Sequence, residues 1–188
     1  MQVDWLRKKG SWREVADSAR TTIHKEAGIN EPSDGWKKQI LLAEHSPIRT
    51  MQFKWKWLDL PYFVSVHFAR HWLGIVHFVS TSRTDRTGVD RTKLYQDNPV
   101  DHECEANAQA LINISRKRLC RKASKETQDA WWEVRRKVQE VDTIMAEAMV
   151  CECVYRGFCP EFSSCGFCNT PTYQEWLAEY RNIPKKEK

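Results

Sequence analysis

Met51, Phe53, Trp55 and Trp57 alternate with Gln52, Lys54 and Lys56 along residues 51–57. A period of two puts the apolar side chains on one face and the polar ones on the other, so the segment predicts a half-buried antiparallel strand. Pro61 follows, suited to the first turn of a helix that the pattern carries over about 62–72. Residues 75–82 are β-branched and aromatic and predict another strand, whereas 83–105 reads as polar and irregular. A polar, weakly amphipathic helix is expected over 11–27, before the breaker NEPSDG at 30–35. Two long helices are expected next, over about 105–122 and 125–149, with Ser124 a natural N-cap between them. In the second, Trp131, Val134, Val138, Val141, Met145 and Ala148 recur at three- and four-residue steps, a stripe that belongs against a core. Strands followed by helices give an α+β domain with antiparallel strands packed on long helices.

Composition narrows the picture. The chain has 188 residues, nine of them Trp, which is about one domain with material for a core. A net charge of +5 is modest, but it is concentrated. Arg83, Arg86, Arg91 and Lys93 form one cluster, and Arg116, Lys117, Arg118, Arg121, Lys122 and Lys125 another. Such clusters suit phosphate, on a nucleotide or on a nucleic-acid backbone. MQVDWLRKKGSW has no apolar stretch of signal-peptide length, and nothing approaches the roughly 18 apolar residues of a membrane span. The expectation is a cytoplasmic protein with no membrane partner. The tail PKKEK is expected to fray.

Seven cysteines in that compartment point to thiols or metal ligands rather than disulfides. Four of them, Cys153, Cys159, Cys165 and Cys168, have five, five and two residues between them, with Gly and Pro for tight turns. They are candidate ligands for one tetrahedral zinc, with Cys151 in reserve. Small buried thiols in a turn-rich cap over 150–170 are the plainer alternative.

The stretch FARHWLGIVHFVSTSR at 68–83 sets Arg70 and His71 among bulky apolar residues. A charge buried there needs something to neutralise it. Ser80 follows Arg70 by ten residues, and a second stretch, NAQALINISRKRLCRKA at 107–123, carries Asn107, Asn113 and Arg118. Asn107 and Arg118 are eleven residues apart, close to three helical turns, and so share a helix face. That face can offer an amide to a ring edge and a guanidinium fork to a phosphate.

In that register the two stretches resemble the flavin-dependent thymidylate synthases, the ThyX family. The resemblance covers about 45–149, within a single domain spanning 1–188. It implies a ThyX-like fold and transfer of a one-carbon unit from methylenetetrahydrofolate to C5 of dUMP, with FAD as redox cofactor and NADPH or another reductant. Residue by residue, it implies that Arg70, Ser80 and Arg118 are catalytic. They and His67, Ser82 and Arg83 would hold the nucleotide. His71, Asn107, Gln109 and Asn113 would face the flavin. It also implies a homotetramer with shared active sites. The bulky surface expected of Phe63, Phe68, Trp72, Trp131 and Trp132 points the same way.

The chain departs from the family pattern at several positions. Trp72 replaces the third residue of Arg-His-Arg, His77 and Phe78 replace Asn-Glu, and Arg49-Thr50 replaces Glu-His. Ser82 stands where the family has an arginine, with Arg83 one step late. His67 stands for a glutamine. Short chains of this type resemble phage-encoded relatives, some of which modify deoxyuridylate in other ways. Hydroxymethyl transfer to dUMP is therefore one alternative. A non-enzymatic, basic, Cys-rich nucleic-acid module is the other.

Overall fold

The computed structural model describes residues 2–182, so the PKKEK tail lies outside the described residues. Four antiparallel strands form one sheet: β1 (Gln2–Lys9), β2 (Gln52–Pro61), β3 (Ile75–Val79) and β4 (Pro99–Asn107), in the spatial order β1-β2-β4-β3. The helices are α1 (Trp12–Thr21), α2 (Asp34–Leu42), α3 (Tyr62–Ala69), α4 (Thr84–Thr87), α5 (Ala108–Arg118), α6 (Lys125–Val141), α7 (Thr143–Ala148), α8 (Glu152–Arg156) and α9 (Pro171–Arg181). The α+β expectation is met.

The alternation of β2 does what its period requires. Phe53, Trp55 and Trp57 are fully buried in a core that also holds Trp131 of α6 and Phe68 of α3. Trp57 stacks on Phe68 at 4.7 Å, and Trp55 meets Trp131 edge-on at 5.8 Å. Buried indoles keep their N–H satisfied in two cases: Trp57 Nε1 donates to the Ala130 carbonyl at 3.2 Å, and Trp131 Nε1 to Ser115 Oγ at 2.8 Å. On the opposite face, Lys54 pairs with Glu103 and Lys56 with Asp101, each at 2.7 Å, while Lys9 pairs with Glu105 at 2.9 Å. The register puts Lys54 opposite Glu105, so its ion pair is diagonal, as a twisted sheet allows.

Several expectations need correction. The N-terminal stretch is a strand, hidden from pattern reading because a register shift between Val3 and Trp5 breaks the period of two. Segment 83–105 is not irregular throughout, because β4 begins at Pro99. Its outward Asp101, Glu103 and Glu105 are poor strand formers held by the lysines of β2. The helix expected over 11–27 ends at Thr21, and the helix over 105–122 is α5, starting only after β4. Pro61 closes β2 and caps α3 rather than entering it, and α3 stops at Ala69. Strand β3 ends at Val79, where Ser80 closes the ladder on Asp101.

The 125–149 helix is two helices. Buried Asp142 leaves helical geometry, accepts from the Met145 N–H at 2.9 Å to cap α7, and pairs with Lys8 at 2.7 Å. The stripe survives the break except at Val141, which is exposed. The aromatic surface is also smaller than expected. Phe68 and Trp131 are core residues, Phe63 and Trp132 are half-buried, and Trp72 stays open at 73% exposure.

Candidate functional site

Helix α3 ends in a turn that carries Arg70 and His71, and α5 ends at Arg118 beside it. Arg118 donates from Nη2 to the His67 carbonyl at 2.7 Å and from Nε to His71 Nε2 at 2.9 Å. Arginine has no lone pair to offer, so His71 Nε2 must be the acceptor and its Nδ1 carries the proton. Burial first, then the charge of Arg118, hold His71 neutral by lowering its pKa to about 4. Burial and then Arg70 also pull Arg118 below its ordinary value, and arginine remains charged at neutral pH. The charge acting on half-buried Arg118 is thus a second arginine, not a carboxylate. His67 feels the same field: burial, then Arg118 and Arg70, lower its pKa. Thr127 Oγ1 lies 2.7 Å from both Ser124 Oγ and His67 Nδ1, which ties the His67 ring to the start of α6. Arg70 itself is exposed, contrary to the expectation of a buried charge, because α3 stops at Ala69 and Arg70 caps it at the surface.

Ser80, Ser82 and Arg83 line a different space, a cleft of about 530 Å³ bordered also by Tyr62, Arg91 and Tyr95. Ser80 Oγ accepts from the Asp101 N–H at 3.0 Å and keeps its own proton to donate. Arg83 is engaged by Asp85 through two hydrogen bonds, at 3.0 and 2.7 Å. Tyr62, at the cleft, opens α3 and Arg70 closes it, so the helix sets these two residues roughly 12 Å apart along its axis. No hydrogen bond or ion pair among the described residues joins the two groups.

The other expected residues also divide. Asn107 ends β4 and caps α5, its Oδ1 accepting from the Ala110 N–H at 2.9 Å while its own N–H reaches the Gly74 carbonyl at 2.9 Å. Gln109 and Asn113 lie on another face of α5, in a network with Glu44 and Arg116. Arg116 also covers the Tyr155 ring at 3.5 Å. Beside Asn107, a cleft of about 450 Å³ is lined by Trp72, Gly74, Val76 and Phe78 together with the polar Gln52 and Glu105.

Gly74 is required where it stands. Its φ is +73°, and a Cβ there would lie 2.6 Å from Asn107 Nδ2. Gly74→Ala should cost about 1–2 kcal/mol from the backbone alone, with a further loss from displacing Asn107. Chemical denaturation measures this, and an unchanged midpoint would contradict the geometry.

Sequence reading passed over His102 and Cys104 and noted His77 only as a departure. Strand β4 turns His102 and Cys104 inward, and the register sets His77 directly opposite Cys104. The available signal was the His-x-Cys alternation itself. Of the C-terminal cysteines, Cys153 is buried with its sulfur 3.5 Å from that of Cys151, Cys159 and Cys168 are half-buried, and Cys165 is exposed. The Cys151 contact and burial push the Cys153 thiol up, and burial with Cys153 nearby pushes Cys168 to about 11.

No family model matches the chain. No curated protein sequence matches it either. Solved structures do match in fold. A flavin-dependent thymidylate synthase ThyX from Helicobacter pylori, complexed with FAD and dUMP, superposes with a TM-score of 0.65 at 14% identity, covering 80% of this chain and 100% of that one. A second structure of the Helicobacter pylori enzyme with FAD and dUMP gives 0.64 at 14%, covering 79% and 99%. A UMP/dUMP methylase from Streptomyces cacaoi, bound with 5-Br dUMP, gives 0.59 at 14%, covering 84% and 94%. The chain has the ThyX-like fold.

Proposed function

We propose that the protein binds dUMP and transfers to its C5 a one-carbon unit from methylenetetrahydrofolate. The observation that carries this reading is the Arg118 fork, held by the His67 carbonyl and by His71 Nε2 at the turn that bears Arg70. A guanidinium fixed in this way, with a second arginine on the adjoining turn, suits a doubly charged phosphate or an anionic uracil. Neutral His71 fixes the Arg118 fork. Fixed donors aimed at the uracil carbonyl stabilise the charge that develops there as C5 becomes nucleophilic.

The separation of Ser80, Ser82 and Arg83 from the arginine pair supports a site shared between copies. One copy would supply His67, Arg70 and Arg118, and another would close the nucleotide with its Ser80 cleft. The homotetramer belongs to the same proposal. The basic residues of 116–125 favour an enzyme over a nucleic-acid module. Arg116 pairs with Glu44, Lys117 with Glu152 and Lys125 with Asp129, while Arg121 covers Phe167, so four of these cations already have partners within the chain.

FAD fits in part. The Asn107 Nδ2 amide beside a cleft walled by Trp72 and Phe78 suits a flat aromatic ring. Gln109 and Asn113 do not fit, because the Glu44–Arg116 network already engages them. When bound, the flavin would supply the hydride that reduces the transferred carbon to methyl. The engagement of Gln109 and Asn113 favours a second reading, hydroxymethyl transfer. Water then captures the methylene and no net hydride is needed.

Mass spectrometry of dUMP incubated with methylenetetrahydrofolate, with and without FAD and a reductant, tests both. A methylated product that requires FAD supports the first reading, and a hydroxymethylated product the second. Unchanged dUMP in every mixture would overturn both.

A further inference from the structure

We propose that His77, His102 and Cys104 form a three-ligand zinc site behind the arginine pair. Among the described residues, these three offer ligand atoms that all lie within 4.8 Å of one another. The placement follows from the sheet. Antiparallel register sets His77 of β3 across from Cys104 of β4, and His102, two residues earlier on β4, shares the inward face.

The hydrogen-bond accounting points to a cation. His77 Nε2 lies 2.7 Å from the His71 carbonyl, which can only accept, so Nε2 carries the proton and Nδ1 presents a lone pair. That one lone pair faces His102 Nε2 at 2.9 Å and Cys104 Sγ at 3.3 Å. It cannot receive two donors well. Fully buried His102 also has no partner for its Nδ1. If His102 takes the other tautomer, two lone pairs confront each other across 2.9 Å, a repulsion that a cation between them relieves.

Donor atoms around a tetrahedral zinc stand about 3.3–3.6 Å apart, given ordinary Zn–N and Zn–S distances. His77 Nδ1 and His102 Nε2, 2.9 Å apart, reach it by separating a few tenths of an ångström, and His77 Nδ1 and Cys104 Sγ, at 3.3 Å, already meet it. Two imidazoles and a thiolate suit zinc and exclude the oxygen-seeking Mg²⁺ and Ca²⁺. The His77 hydrogen bond to the His71 carbonyl is the outer contact that a metal-ligating histidine normally makes. Partly exposed His77, on an edge strand, gives the ion its entry.

On coordination the Cys104 thiol gives its proton to solvent, so binding weakens in acid. The ion would be a brace. It fixes His77, and through the His71 carbonyl it fixes the turn against which Arg118 is set. The site is separate from the cysteine cap and does not depend on what the arginines bind.

Zinc content should be measured after loading the full chain with Zn²⁺ and dialysing it without chelator. About one equivalent is expected in the unaltered protein and in Cys168→Ser, and less than a tenth in Cys104→Ser. One equivalent kept by Cys104→Ser but lost in Cys168→Ser would place the metal in the cap and overturn the proposal, as would an unaltered protein that retains none. Should Cys104→Ser fail to fold, Co²⁺ replacement in the unaltered chain decides. Charge-transfer absorption of one thiolate per cobalt supports the site, and absorption of three or four thiolates overturns it.

Discussion

Replacing Arg118 with alanine is expected to weaken dUMP binding by about 2–4 kcal/mol, about thirtyfold to nearly a thousandfold, while the fold survives. Arg118 is half-buried at the end of α5, and its bonds to the His67 carbonyl and His71 Nε2 aim the fork rather than hold the core. Truncation removes the charge and frees His71 to turn. Calorimetric titration measures the loss, and circular dichroism checks the fold. Equal affinity in Arg118→Ala would remove the phosphate role. Arg118→Lys should recover only part of the loss, because an ammonium cannot bind bidentately. A shared site adds a consequence. Arg118→Ala mixed with Ser80→Tyr, which fills the cleft of the other group, should regain activity that neither variant has alone. Light scattering that shows a monomer at micromolar concentration would leave no route for such rescue.

The largest effect on stability is expected at Trp131. Trp131→Ala should destabilise the protein by about 3–5 kcal/mol and lower its melting temperature by on the order of 10 °C. The indole is fully buried, meets Trp55, Trp57 and Phe68, and donates to Ser115 Oγ. Deletion therefore leaves a cavity among rigid aromatic rings and removes a buried hydrogen bond together. Neighbouring Trp132 is only half-buried against Trp176, so Trp132→Ala should cost distinctly less. Equal losses from the two variants would contradict the core position of Trp131. Urea unfolding of both proteins makes the comparison.

Local repetition is the part of this fold that can be read directly from the chain. The alternation of β2 names its own buried face because successive residues of a strand point oppositely. The three- and four-residue steps of α6 do the same for a helix. Elsewhere the deciding partner is far away in sequence. Strand β4 stays a strand because Lys54 and Lys56 answer its carboxylates, and β1 escapes notice because its bulge breaks the period. Asp142 ends α6 because it is buried with Lys8, a residue from the start of the chain. Arg70 reads as buried among apolar neighbours, yet α3 stops one residue short of it and leaves it in solvent. Gln109 and Asn113 share a helix with Asn107, but Glu44 claims them on another face. The meeting of His77 with His102 and Cys104 depends on strand register, and register is a property of two strands at once. Local periodicity carries the faces of single elements, and only the packing of distant segments decides which faces meet and which charges are answered.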